Sequence, residues 1–242
     1  ILCSHGKIEE SLKMANLSIS NLVNGIIYFP DSSDRNVPER IKKNHIPLVL
    51  VDRAVPGIET DVVRMDDYKG GTLAAKCLYL AGHRKFLYIC GPEGNGAQPL
   101  RQQGFLDGLS QYGISPSEIR IIRGDQICPI PDSEELFHLL QPIRCTGIFS
   151  FNDQIAYSVM NALQDHGCRV PEDISMIGFD HIRSGMPCLQ PLSSIGCENA
   201  GDLAERTVEL LLRRIENPEC EFMTEILPVR LYETESTVKK IK

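Results

Sequence analysis

Short apolar runs rich in β-branched residues alternate with helical patterns along most of this chain. The runs are GIIYF (25–29), IPLVLV (46–51), KFLYIC (85–90), TGIFSF (146–151) and ISMIGF (174–179). Near-continuous apolar runs of this kind suit strands covered on both faces. Between them, ESLKMANLSISNLV (10–23), YKGGTLAAKCLYLAG (68–82), LRQQGFLDGLSQYG (100–113), DSEELFHLLQPI (132–143) and NDQIAYSVMNALQDHG (152–167) carry apolar residues three and four positions apart. Strands and amphipathic helices in strict turn bury their surfaces as βαβ units, so the fold class is α/β with parallel sheets flanked by helices.

Starts and stops agree with these spans. Gly82, Gly113 and Gly167 follow helical patterns where C-caps belong, and Asp132 and Asn152 stand where N-caps are wanted. Two segments break the rhythm: TDVVRM (60–65) has no helix before it, and SSIG (193–196) precedes the long helical pattern of residues 198–217. Both suit crossings between two lobes. At 242 residues the chain has room for one large domain or two smaller ones.

Composition excludes several classes. The 25 Lys and Arg against 32 Asp and Glu give a net charge of −7, with no basic run to track phosphates, so this chain is a poor nucleic-acid binder by itself. No apolar window is long enough for a membrane span. The nine cysteines have neither zinc nor CxxC spacing, which fits reduced thiols in a cytoplasmic protein. The histidines show no HxxxH or HExxH, no GxSxG is present, and GPEGNG (91–96) matches neither a dinucleotide fingerprint nor a P-loop. Neither an enzyme nor a metal or cofactor site is expected.

Ligands of open parallel sheets bind outside the carboxyl ends of the strands. Asp31, Asp52, the GPEGNG loop, Asn152-Asp153 and Asp180 follow five of the predicted strands. Each acid or amide there serves equally well as a helix cap or turn former. Asp180 differs, because HIRSGMPCLQP after it is no amphipathic helix that a cap would serve. Arg101 stands just past the glycine-rich loop, where its forked donors suit hydroxyls or a carboxylate, or a surface ion pair. Met186, Pro187, Cys188 and Leu189 form an apolar tetrad in a proline-flanked loop. Such a loop either folds back on its own lobe or forms a dimer contact.

The segments VNGIIYFP, IPLVLVDR, AGHRKFLYICGP, RQQGFLDGL, FNDQIAYSVMNALQDHGCRVPEDISMIGFD and LPVRLYETEST occur in the order found in the effector domain of the lactose/galactose-repressor family of bacterial transcription regulators. The resemblance covers nearly the whole chain, and residues 151–180 carry it most specifically. It implies a fold similar to type I periplasmic binding proteins: two similar lobes, three crossings and a ligand cleft. Mapped onto this chain, one lobe holds 1–65 and 195–227, and the other 66–194 and 228–242. The matching ligand positions are Arg101, Asn152, Asp180 and Asp52. The resemblance also implies a homodimer, a sugar-like effector, and operator DNA bound through a helix-turn-helix headpiece that this chain, opening at ILC, does not contain. Family members often pack an aromatic ring on the sugar, whereas residues 124–135 supply none and the chain has no Trp. The expected function is a ligand-sensing regulator domain. The alternative is the periplasmic solute-binding protein of a sugar transporter.

Overall fold

The computed structural model describes residues 8–30, 33–94, 96–182, 191–199, 201–235 and 237–239. Asp31 and the tetrad Met186, Pro187, Cys188 and Leu189 lie outside them. In chain order the elements are α1 (Ile8–Ser20), β1 (Ile26–Tyr28), α2 (Asn36–Lys43), β2 (Leu48–Val51), β3 (Asp61–Met65), α3 (Asp67–Leu80), β4 (Phe86–Ile89) and α4 (Gln98–Gln111). A 3₁₀ turn (Pro116–Glu118) leads to β5 (Ile119–Ile122), α5 (Gly124–Ile127), α6 (Ser133–Leu140), β6 (Gly147–Ser150), α7 (Asp153–Asp165) and β7 (Ser175–Phe179). The chain ends with β8 (Ser193–Cys197), α8 (Asp202–Glu216), β9 (Thr224–Leu227) and β10 (Val229–Tyr232).

The chain divides into two compact units. The first holds Ile1–Met65, Gly94–Ala97 and Glu198–Pro228; the second holds Asp66–Glu93, Gln98–Cys197 and Val229–Lys242. The second boundary therefore falls after Cys197 rather than before Ile195, because β8 is hydrogen-bonded between β7 and β10 in the sheet of the second unit. Gly94–Ala97, expected with the second lobe, groups with the first unit.

In the first unit, four parallel strands run in the order β1-β2-β3-β9. The LVLV run of β2 is buried along its whole length, as its lack of polar alternation requires. Leu48 and Leu50 pack with Val37 and Ile41 of α2, Ala15 of α1, Val55 and Val62. Arg214 on α8 grips Asp61 at the start of β3 with two bonds, Nε to Oδ2 at 2.7 Å and Nη2 to Oδ1 at 3.2 Å. Its remaining donors hold the carbonyls of Pro218 (2.9 Å), Cys220 and Glu221 (3.0 Å). One buried guanidinium thus ties α8 and the following connector to the sheet.

In the second unit, six strands run β10-β8-β7-β6-β4-β5, with only the β10/β8 pair antiparallel. Strands β4, β6 and β7 are buried on both faces. Phe105 of α4 packs its ring 5.2 Å from Phe149 of β6 and 6.0 Å from Tyr88 of β4. Helices α3 and α4 meet backbone to backbone: a Cβ at Gly104 would lie 2.0 Å from the Tyr68 carbonyl oxygen, and one at Gly71 2.3 Å from that of Arg101. Those two glycines set how closely side chains from the heads of both helices can meet.

Candidate functional site

The second unit gathers its polar groups at the carboxyl ends of β6 and β7 and the first turns of α3, α4 and α7. Arg101, in the first turn of α4, is 1 % exposed. Its Nε donates to Asp67 Oδ1 at 2.8 Å and its Nη1 to the Phe151 carbonyl at 2.7 Å. Its guanidinium carbon lies 3.6 Å from the ring centre of Phe179 and 4.6 Å from that of Phe151, in cation–π range. A charge so buried persists only when paired and hydrogen-bonded. Asp67, itself 1 % exposed, is the direct counter-ion.

Asp180 follows β7 in the left-handed region, with φ 94°, and His181 after it has φ 47°. The Asp180 N–H donates to the Ile195 carbonyl at 2.8 Å, so the strand ladder extends to the turn itself. Its Oδ1 lies 3.3 Å from Arg101 Nη2, and its side chain keeps 30 % exposure. An acid in this conformation carries strain of order 1–3 kcal/mol, which surrounding contacts must sustain. The arrangement is a partly open carboxylate seated on a buried cation.

Asn152 caps α7, its side-chain oxygen accepting from the Ile155 N–H at 2.9 Å. Its amide nitrogen has no hydrogen-bond partner among the described residues. Asp52 follows β2 in the first unit with φ 74°, and its Oδ2 takes Arg53 Nη2 at 2.5 Å and Nε at 3.2 Å. The structure therefore brings Arg101 and Asp180 together and puts Asn152 directly after the carbonyl that Arg101 holds. Arg101, read in the sequence as a fork suited to hydroxyls or a carboxylate or as a surface ion pair, is buried, with Nε and Nη1 bonded to protein groups.

Sequence reasoning missed Asp67, Ser194 and the aromatic pair Phe151 and Phe179, and it placed Asp153 at the rim only as part of the Asn152-Asp153 pair. Asp66 caps α3 by accepting from the Lys69 N–H at 2.9 Å. Asp67 then turns inward. Asp153, 2 % exposed, accepts from Ser194 Oγ at 2.7 Å and from the Ile182 N–H at 2.7 Å. Burial is the main cause that lifts its carboxyl to about 7, against the lowering effect of those two donors. Among the described residues no group of histidines, cysteines and acids is disposed to hold a metal ion, and no helix is long and apolar enough to cross a membrane.

The sequence profile of the periplasmic binding protein-like domain matches residues 75–237. The ribose operon repressor of Haemophilus influenzae is 33 % identical over 184 residues, covering 75 % of this chain and 54 % of the relative. The transcriptional repressor PurR of Vibrio atlanticus is 28 % identical over 225 residues, covering 91 % of this chain and 66 % of the relative. The chain thus spans between about half and two thirds of their lengths. Among solved structures, a LacI family regulator from Enterococcus faecium with bound ribose superposes with a TM-score of 0.82 at 26 % identity, covering all of this chain and 88 % of that one. With its helix-flanked parallel sheets and the polar rim they carry, the chain belongs to the periplasmic binding protein-like domain family, in the form that serves LacI-family transcription regulators as their effector domain.

Proposed function

We propose that the parent protein is a cytoplasmic transcription repressor that binds a pentose-class sugar on this domain and operator DNA through an N-terminal headpiece. The observation that carries the ligand reading is Asp180, a half-open carboxylate held in a left-handed turn 3.3 Å from buried Arg101. A sugar hydroxyl both donates and accepts, so it can donate a hydrogen bond to Asp180 while accepting one from a nearby amide. Asn152, with its uncommitted amide nitrogen, is the proposed donor. The ribose in the Enterococcus faecium regulator and the name of the Haemophilus influenzae relative support a pentose over an apolar ligand.

Regulation then follows from two-state logic, since an effector shifts a conformational equilibrium only by its differential affinity for the two states. A homodimer is proposed because a symmetric operator requires a symmetric reader, and Met186, Pro187, Cys188 and Leu189 remain the candidate contact.

Calorimetry of this domain with D-ribose, D-glucose and hypoxanthine tests the ligand. D-ribose is expected to bind most tightly, and Asp180→Ala to weaken it at least about thirtyfold, the loss of a charge-assisted bond. Equal affinity in Asp180→Ala would place the site elsewhere. A secretory signal upstream of this segment in the gene would favour a transporter's solute-binding protein instead.

A further inference from the structure

The turn that carries Asp180 is built from three directions. Ile182 N–H donates to Asp153 Oδ2 at 2.7 Å, from the first residue of α7. His181 N–H donates to Ser194 Oγ of β8 at 3.0 Å, and Ser194 passes its own hydrogen to Asp153 Oδ1 at 2.7 Å. The His181 ring stacks on Tyr232 of β10, with centroids 3.7 Å apart and planes within 6°. Tyr232 in turn donates to the Cys197 carbonyl at 2.7 Å.

Space for this network comes from absent side chains. A Cβ at Gly178 would sit 2.1 Å from Asp153 Oδ1, and one at Gly196 2.5 Å from the Cβ of His181. Asp153 is thus admitted under the end of β7 and His181 over β8 only because those positions are glycine. The two backbone N–H groups next to Asp180, both in a strained or tightly bent segment, end on one carboxylate–serine couple.

We propose that Asp153 and Ser194 are positioning residues for effector binding, holding the 180–182 turn in the left-handed geometry that presents Asp180 to the ligand. This rests on the reading of Asp180 as a ligand residue. Among the described residues, the charged and titratable groups around Asp153 are Asp180 on the turn, Arg101 from α4 with its counter-ion Asp67 from α3, and His181 lying on Tyr232. Burial, with the Asp180 charge adding to it, favours keeping a proton on Asp153.

With its carboxyl lifted to about 7, Asp153 changes between ionised and neutral forms over the neutral pH range. The ionised form accepts both bonds. In the neutral acid the proton sits on Oδ1 and is donated to Ser194 Oγ, which sends its own hydrogen toward the Ile195 carbonyl, 3.4 Å away. The Ile182 N–H then meets an uncharged oxygen, and neutral bonds are about half as strong as charge-assisted ones. Effector binding should therefore weaken on acidification.

Two measurements on the isolated domain test the couple. Carbon- and nitrogen-detected NMR without ligand should show the Asp153 carboxyl and the His181 and Ile182 amides titrating with one midpoint, and the amide titration should vanish in Asp153→Asn. An asparagine side chain can accept from Ile182 and donate to Ser194, so this variant keeps the fold and removes the proton. Asp153 titrating while both amides stay still would overturn the proposal. Calorimetry with D-ribose should show the wild type losing about fivefold in affinity from pH 8 to pH 6, Asp153→Asn showing no pH dependence, and Ser194→Ala binding about tenfold more weakly at both. A pH dependence surviving in Asp153→Asn also overturns it, as does wild-type affinity in Ser194→Ala. If D-ribose binds the wild type at neither pH, the ligand reading fails separately, and the amide titration still decides whether the couple holds the turn.

Discussion

Asp67 of α3 accepts a 2.8 Å hydrogen bond from Arg101 Nε of α4, and both side chains are 1 % exposed. Removing one partner of such a pair leaves an uncompensated buried charge, a loss of roughly 3–5 kcal/mol. Asp67→Asn and Arg101→Ala should each lower the stability of the domain by about that amount, read from urea unfolding. A variant with wild-type stability would show the pair to be dispensable.

A second prediction concerns the helix contact beneath this pair. At Gly104 the facing group is the Tyr68 backbone carbonyl, 2.0 Å from where a Cβ would be. No rotamer change relieves that contact, so α3 and α4 must separate and draw Asp67 away from Arg101. Gly104→Ala is expected to destabilise by about 3 kcal/mol or more, and by contrast Gly113→Ala meets no neighbour and is limited to the strain of its φ of 75°. Comparable melting temperatures for the two would refute the close-packing argument.

How far the sequence reached can be judged from these residues. The βαβ rhythm was legible because β4, β6 and β7 are buried on both faces and so read as unbroken apolar runs. Strands β5 and β9 escaped notice: β5 reads IRII and β9 TEIL, mixed edge strands without a clean period. Asp180 was legible as a rim acid because no helix follows it. Asp67 was not, and Asp153 was legible only as part of the Asn152-Asp153 pair, since each begins a helix, and an acid there reads as complementing the helix dipole. Only three-dimensional packing turns them inward, through Gly71 and Gly104 for Asp67 and Gly178 for Asp153.

The pH dependence of folding gives a third prediction, from two groups that oppose each other. Burial lowers His83 from 6.5 to about 4; its Nδ1 pairs with Thr146 Oγ1 at 2.9 Å. A group buried neutral adds stability above its unfolded value, and that stability is lost as pH falls from 6.5 toward 4. Asp153, raised from 3.8 to about 7, works the other way: the folded state holds its proton more tightly, so stability rises as pH falls through the same window. The wild type should show a nearly flat stability profile between pH 6.5 and 4 from these two groups, whereas Asp153→Asn exposes the His83 loss, on the order of 3 kcal/mol. Parallel profiles from urea titrations of both proteins would refute the assignment.

The last prediction separates the two tasks of Asn152. Its oxygen caps α7 through the Ile155 N–H at 2.9 Å, and its amide nitrogen is the proposed ligand donor. Serine at an N-cap accepts the same backbone bond but offers no amide, while alanine removes both functions. Asn152→Ser should therefore unfold at nearly the wild-type urea concentration, and Asn152→Ala should lose about 1 kcal/mol. For D-ribose the two variants should fall together, each about tenfold weaker than wild type, as the loss of one hydrogen bond to a neutral ligand group predicts. If affinity instead follows stability, with Asn152→Ser binding like the wild type, then Asn152 is a helix cap and the donor to the sugar must be sought elsewhere on the rim.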